Sequence, residues 1–372
     1  MIILNEMNIE SFRGFKDIEL KDLKDINMFV GENNTGKTTL LEVIRMIENP
    51  GEIGSVIRIA LEREKSVKSF MGGRLTPYNA MMTLFNKNDK DKCISLSYEL
   101  LYKRNNINIC GKEERILKVE NKKDKYNLSY QQKMQDYENM QEEISIEEEV
   151  LCFNGYYSYN YDNKEEKNEI SVEEDLDRIS LGTRNFHTVD VNYLSNYDYY
   201  TQNNLRMLGN AIKQGYKESI IEMLQIFDEE ILGYELINEN NSAIPYLNHS
   251  KLGYMPLSSF GDGVKKALVI ATRLVRLRDG ILLIDEIETG IHVDALKTFI
   301  VWLTNICTNQ NVQLFFTTHS IEAIDAILEV SKNNIDNVAC YRLEKGSEKV
   351  DIKRFSGKKL YDIRNNMGLD VR

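Results

Sequence analysis

No stretch of this sequence approaches the ~20 consecutive apolar residues that a membrane-crossing helix needs. The opening residues, MIILNEMNIESFRGF, lack the basic run, apolar core and small-residue cleavage site of a secretory signal. Together these absences read as a cytoplasmic protein with no membrane partner. Cysteine is scarce and scattered: Cys93, Cys110, Cys152, Cys307 and Cys340 form no C-x-x-C pair. That excludes a zinc ribbon, argues against a disulfide framework and predicts reduced, mostly buried thiols. Positive charge is also in deficit, with a net charge of -11. Binding nucleic acid over the whole surface is therefore disfavoured, although phosphate contacts depend on local patches and a basic groove remains compatible. Apolar residues never persist as heptads, so no long coiled coil is expected.

What is present is a soluble globular composition, 42% hydrophobic and 28% charged over 372 residues, enough for one large domain or two ordinary ones. IILNEMNIESF, FKDIEL and INMFV read as strands, the last running into a glycine loop, and KTTLLEVIRMI has helical spacing at Leu40, Leu41, Ile44 and Ile47. CISLSYELLY and INICG are strand-like, whereas residues 131–178 are acidic and tyrosine-rich and read as a solvated or partly disordered insertion. Leu205, Leu208, Ile212, Tyr216, Ile220, Leu224, Phe227 and Ile231 recur as in one or two amphipathic helices. The last third alternates apolar strands (GILLIDE, VQLFFTTHS, NVACYRL) with helices, the pattern of a parallel sheet buried on both faces. The expected division is an N-terminal half over 1–130, an insertion with a helical lid over 131–250, and a C-terminal half over 251–372.

GENNTGKT, Gly31 to Thr38, fits G-x-x-x-x-G-K-[ST] at each defined position. The backbone of Gly31, Asn33, Asn34, Thr35 and Gly36 would curl so that successive N–H groups face phosphate oxygens, with Thr39 on the helix that follows. Lys37 would reach the β- and γ-phosphates, and the Thr38 hydroxyl would ligate Mg²⁺. Two adjacent acids, Asp285 and Glu286, end the apolar run ILLIDE. Carboxylates at the tip of a buried strand need a cation nearby. Asp285 would hold Mg²⁺ through water, and Glu286 would polarise the attacking water. His319 in FFTTHS stands at another strand end, where contact with the γ-phosphate is expected. A second glycine turn, LSSFGDGVKK over 257–266, also leads into a helix. Read alone it is either a plain helix cap or a second anion site. One nucleotide needs only one such loop, so as an anion site it would close over the nucleotide of a partner subunit in a two-fold pair.

In this order the elements resemble the head domain of ABC-type ATPases, and within that class the ATPase part of the OLD (overcoming-lysogenization-defect) family with its RecF- and SMC-like relatives. FRGFKDIEL, GENNTGKTTLLE, PLSSFGDGVKKALVIA, ILLIDEIETGIH, FFTTHS and RNNMGLDVR carry the likeness, over residues 1–50 and 250–372. It implies an α/β head with a mixed or parallel core sheet, an N-terminal antiparallel β part and an inserted helical subdomain. It further implies ATP with Mg²⁺ and hydrolysis to ADP and phosphate. Ser259, Gly261, Asp262 and Gly263 would be signature residues acting across a homodimer. Glu288 to His292 would link the two sites, and Arg13 would contact nucleotide near the base or α-phosphate.

Two departures stand out. The signature reads SSFGDG rather than Ser-Gly-Gly-Gln, and no glutamine occurs between residues 1 and 130, so the usual glutamine loop is either missing or replaced by Asn86. Only 53 residues follow His319, without a glutamate-plus-DxD set, so a Toprim nuclease domain of ~100 residues is not expected. The likeness then implies a stand-alone ATPase working with a separately encoded effector, as in phage-defence systems such as PARIS-type immunity. The partner would be a Toprim nuclease or similar, and the assembly a homodimer or a higher homo-oligomer built from it. A transporter ATPase subunit is a competing reading, disfavoured by the 222 residues between Lys37 and Ser259. Direct DNA binding is another. Lys265, Lys266, Arg273, Arg276 and Arg278 would form its basic strip, or else a solvated helix face.

Overall fold

Burial along the first strands sets the architecture. β1 (Leu4–Phe12) and β2 (Phe15–Leu20) alternate buried and exposed residues, while β3 (Ile26–Gly31) is buried throughout. Alternation suits a sheet with one open face, and continuous burial suits the centre of a covered one. The computed structural model describes residues 2–71, 75–87, 89–121, 145–162, 164–174, 187–195, 202–226, 228–239, 242–346 and 349–372. No helix among them is long and apolar enough to cross a membrane.

β1 and β2 open a six-stranded antiparallel sheet completed by β4 (Lys92–Leu100), β5 (Lys103–Asn121), β6 (Ser145–Tyr161) and β7 (Lys164–Glu173), in the order β2-β1-β4-β5-β6-β7. Helices α1 (Lys37–Arg45), α2 (Ile53–Met71) and α3 (Pro77–Met82) follow β3. The second sheet has the order β15-β14-β3-β13-β12-β8. Here β8 (Val191–Leu194), β12 (Ile281–Ile284), β13 (Gln313–Thr317), β3 and β14 (Val338–Lys345) are parallel, and β15 (Val350–Ser356) is an antiparallel edge. Helices α6 (Asp262–Leu274), α7 (Val293–Asn309), α8 (Ile321–Val330) and α9 (Gly357–Tyr361) belong to this half. A small lobe combines α4 (Gln202–Lys213) and α5 (Lys217–Leu224) with a three-stranded sheet, β9 (Ile231–Glu239), β10 (Ser242–His249) and β11 (Gly253–Pro256).

Successive side chains of the parallel sheet serve two cores. Phe29, Phe315 and Tyr341 pack with the antiparallel sheet, and Met28, Val30, Leu314 and Phe316 pack with the helical side. Gln313, 1% exposed, ties the two sheets together. Its Oε1 accepts from Leu4 N at 2.8 Å, and its Nε2 donates to Leu4 O and Lys24 O at 2.9 Å each. A buried amide is tolerable because these groups are satisfied.

Several expectations need correction. The stretch 145–173 is not a solvated insertion: it is β6 and β7, and the division expected at residue 130 cuts across their sheet. Tyr157 and Tyr159 face Ile109 and Ile107 across the pairing and are buried with them. The charge of the other strand face hid this period of two. Residues 131–144 lie outside the described residues. The helical pattern does not reach Ile231, which begins β9, so the lid is a helix-and-sheet lobe, and Phe227 lies outside the described residues. Cys93 and Cys110 stand directly opposite on β4 and β5 and form a disulfide. Pairing register, invisible in their spacing of 17, brings them together. Cys152, Cys307 and Cys340 are buried free thiols, as expected.

Candidate functional site

The glycine loop joins β3 to α1 at the carboxyl end of the parallel sheet, where β12 and β13 also end. Its curl requires left-handed backbone at Gly31 (φ 139°), Asn34 (φ 63°) and Gly36 (φ 100°). Crowding adds to this. A Cβ on Gly31 would stand 2.4 Å from Leu343 O, and one on Gly36 would stand 2.5 Å from the Phe15 ring. Lys37, 7% exposed, folds its ammonium over the loop and donates to Gly31 O and Glu32 O at 2.8 Å each. Burial holds its pKa below the usual lysine value against the pull of Asp285, Glu286 and Glu288.

Asp285 and Glu286 arrive opposite this loop. Thr38 Oγ1 donates to Asp285 Oδ2 at 2.9 Å, and Thr317 Oγ1 donates to Oδ1 at 2.6 Å. Burial nevertheless raises the Asp285 pKa above the ordinary carboxylate range. Glu286 sits at φ 50°, a left-handed conformation uncommon outside glycine and a marker of functional strain. Its amide donates to Thr317 Oγ1 at 2.7 Å, and its Oε2 accepts from Thr289 Oγ1 at 2.9 Å. His319 lies beside them, its pKa lowered first by burial and then by the charge of Lys37. Glu288 accepts from His319 N at 2.7 Å and from Thr318 Oγ1 at 2.8 Å. Thus Lys37, Thr38, Asp285, Glu286 and His319 are brought together.

Other predicted residues stand apart. Arg13, at φ 53°, pairs with the buried Glu42 of α1 at 3.4 Å, behind the glycine loop. Asn86 lies just beyond Leu84, whose carbonyl accepts from Arg13 N at 2.7 Å. Ser259 ends a short 3-10 turn (Leu257–Ser259) and is exposed, Gly261 caps α6, and Asp262 and Gly263 are in its first turn. The basic strip requires correction. Lys266 is 1% exposed and belongs to no surface strip or solvated face, and Lys265 pairs with Asp262 at 2.9 Å.

Sequence reasoning passed over Thr317, gave Glu288 only a place in the segment linking two sites, and took Lys266 for part of a basic strip or solvated face. The doubled threonine before His319 was the visible signal for the first. Replacing Thr317 with Val conserves shape but removes the bonds to Asp285 and to Glu286 N. We expect kcat for nucleotide hydrolysis to fall about tenfold, the effect of a lost hydrogen bond to a charged group. Nucleotide affinity should stay within roughly threefold, measured side by side by titration. Unchanged turnover would remove Thr317 from the site.

The donor set fits a triphosphate with a hard divalent cation. Two glycine positions that exclude a Cβ leave a backbone cradle, and the Thr38 hydroxyl meets the Asp285 carboxylate in an all-oxygen pair suited to Mg²⁺. The site does not stand alone in kind. Residues 26–325 match the family described as "AAA domain, putative AbiEii toxin, Type IV TA system". The chain belongs to this family. It is 22% identical over 356 residues to an ATP/GTP phosphatase of Helicobacter pylori, spanning 88% of each chain. It is also 22% identical over 375 residues to the DNA replication and repair protein RecF of Rickettsia conorii, covering 87% of this chain and 96% of that one. An uncharacterized protein of Methanocaldococcus jannaschii is 37% identical over 113 residues, 30% of this chain and 98% of its own length. Among solved structures, an SMC head bound to the C-terminal winged-helix domain of ScpA superposes with a TM-score of 0.52. That match has 9% identity and covers 99% and 100% of the two chains. The fold is that of an SMC-like, ABC-type P-loop head, α/β with mixed sheets, as the sequence implied.

Proposed function

We propose that this AAA-domain protein binds ATP with Mg²⁺, hydrolyses it to ADP and phosphate, and uses the cycle to close and open a homodimer. The observation that carries this reading is the convergence of Lys37, Thr38, Asp285 and Glu286 at one end of the parallel sheet while Ser259 stays exposed on another loop. Loop amides from Asn33 to Thr39 and the Lys37 ammonium would hold the phosphates, and Thr38 and Asp285 would hold Mg²⁺. When bound, Mg²⁺ neutralises charge that develops on the phosphates. Glu286 would take a proton from the attacking water, and His319 would contact the γ-phosphate. Ser259 and Gly261 of a second copy would complete the site, since one nucleotide needs only one glycine loop and the second stands exposed. Arg13 would contact nucleotide only after release from Glu42.

The motif resemblance to OLD-type ATPases is what supports a role in phage defence beside a separate effector such as a Toprim nuclease. Likeness in sequence to RecF keeps a DNA-linked role as a second reading, although burial of Lys266 weakens its basic strip. In a thermal-shift and sedimentation experiment, Mg·ATP at 100-fold its Kd should stabilise the protein by about 2.7 kcal/mol. A non-hydrolysable analogue should double the sedimenting mass. Lys37→Ala should lose both responses. A wild-type protein that shows neither overturns the proposal.

A further inference from the structure

Lysine is among the costliest side chains to bury, and Lys266 is buried almost completely in the helix that follows the second glycine turn. Its Nζ leaves α6 altogether and donates to two carbonyls on the turn after β12, Glu286 O at 2.8 Å and Thr289 O at 2.9 Å. Burial pushes its pKa down to about 8 against the opposing pull of Glu288, Glu286 and Asp285. The two elements also lie close together at Gly290. Gly290 has φ 78°, and a Cβ there would stand 3.2 Å from Asp262 Cβ in the first turn of α6.

Glu286 is therefore gripped from both sides while it holds a left-handed backbone. Thr317 receives its amide proton, and Lys266 donates to its carbonyl. The first grip comes from the end of β13, in the sheet. The second comes from the helix whose N-terminal loop carries Ser259, three residues before Asp262. A shift of that helix would be felt at the Glu286 carbonyl, since the buried Lys266 ammonium bonds it directly.

We infer that Lys266 is a positioning residue that couples the two nucleotide sites: seating of one chain's Ser259 loop on its partner's triphosphate is passed through Lys266 to that chain's own Glu286. The inference rests on the proposed ATP-closed dimer. A signature loop then serves the partner's site, Glu286 serves its own, and Lys266 makes hydrolysis at one depend on occupancy of the other. Coupling of this kind is a difference in free energy between two arrangements of one connected element.

The test compares wild type with Lys266→Met, which fills the same channel without donors, and Lys266→Arg, which retains them. Removing the ammonium leaves two carbonyl acceptors without its hydrogen bonds, at a cost in stability, so melting temperatures serve as the folding control. Wild type should dimerise with a non-hydrolysable ATP analogue and hydrolyse Mg·ATP cooperatively, with a Hill coefficient above one. Lys266→Met should dimerise within roughly threefold of the wild-type affinity, lose about tenfold in kcat and lose its cooperativity. Lys266→Arg should recover part of both. A Lys266→Met protein with wild-type kcat and Hill coefficient overturns the inference. So does one that loses rate but keeps full cooperativity, which would make Lys266 a local prop. Non-cooperative hydrolysis by a wild-type dimer sinks the coupling alone, whereas failure of the wild type to dimerise sinks the proposed function beneath it.

Discussion

Glu286→Gln should leave a protein that still binds Mg·ATP but turns it over at least about a hundredfold more slowly, the usual loss when a general base is removed. Glutamine keeps the shape of the side chain and can still meet Thr289 Oγ1, which bonds Glu286 Oε2 at 2.9 Å. The backbone bonds of residue 286 to Thr317 and Lys266 are indifferent to the substitution. What disappears is the capacity to take a proton from water. If closure needs intact ATP and opening needs its cleavage, the variant should accumulate as a stable dimer in ATP alone, whereas wild type should dimerise only with a non-hydrolysable analogue. Gel filtration in ATP with a parallel phosphate-release assay reads both outcomes. Turnover within threefold of wild type would show that another group is the base.

Ser259→Arg acts on the opposite half of the composite site. The residue is exposed, so the bulky cation should leave the monomer's fold and its affinity for Mg·ATP within about twofold, as surface substitutions generally do. Hydrolysis should drop about a hundredfold, because the donor is missing from the partner's phosphates. Mixing this variant with Lys37→Ala supplies the decisive comparison. Each homodimer is dead, but a mixed dimer pairs an intact glycine loop with an intact Ser259. Random association through a two-fold interface should return up to roughly a quarter of wild-type activity if the two sites fire independently, and less if they are coupled through Lys266. Loss of ATP affinity in the Ser259→Arg monomer would place the second loop in cis.

Much of the fold was legible because apolar runs and the phosphate loop are local signals. β3, α1, β12 and β13 lie where period and motif put them, and these elements carry Lys37, Thr38, Asp285 and Glu286. What escaped depends on pairing or on side-chain reach. The tyrosines of β6 sit in a stretch whose acidic face dominates its composition, and only their partners Ile107 and Ile109 show them to be core. The Cys93–Cys110 bridge needed the register of β4 and β5. Lys266 resembled its neighbour Lys265 in every sequence property. One extra residue of helix turns it toward the catalytic strand rather than the solvent, and no composition rule separates the two.

The ring of Phe15 under Gly36 has a mechanical consequence. Any side chain at residue 36 would meet that ring 2.5 Å from its first carbon, so the shape of the loop is tied to the β1–β2 hairpin that carries Phe15.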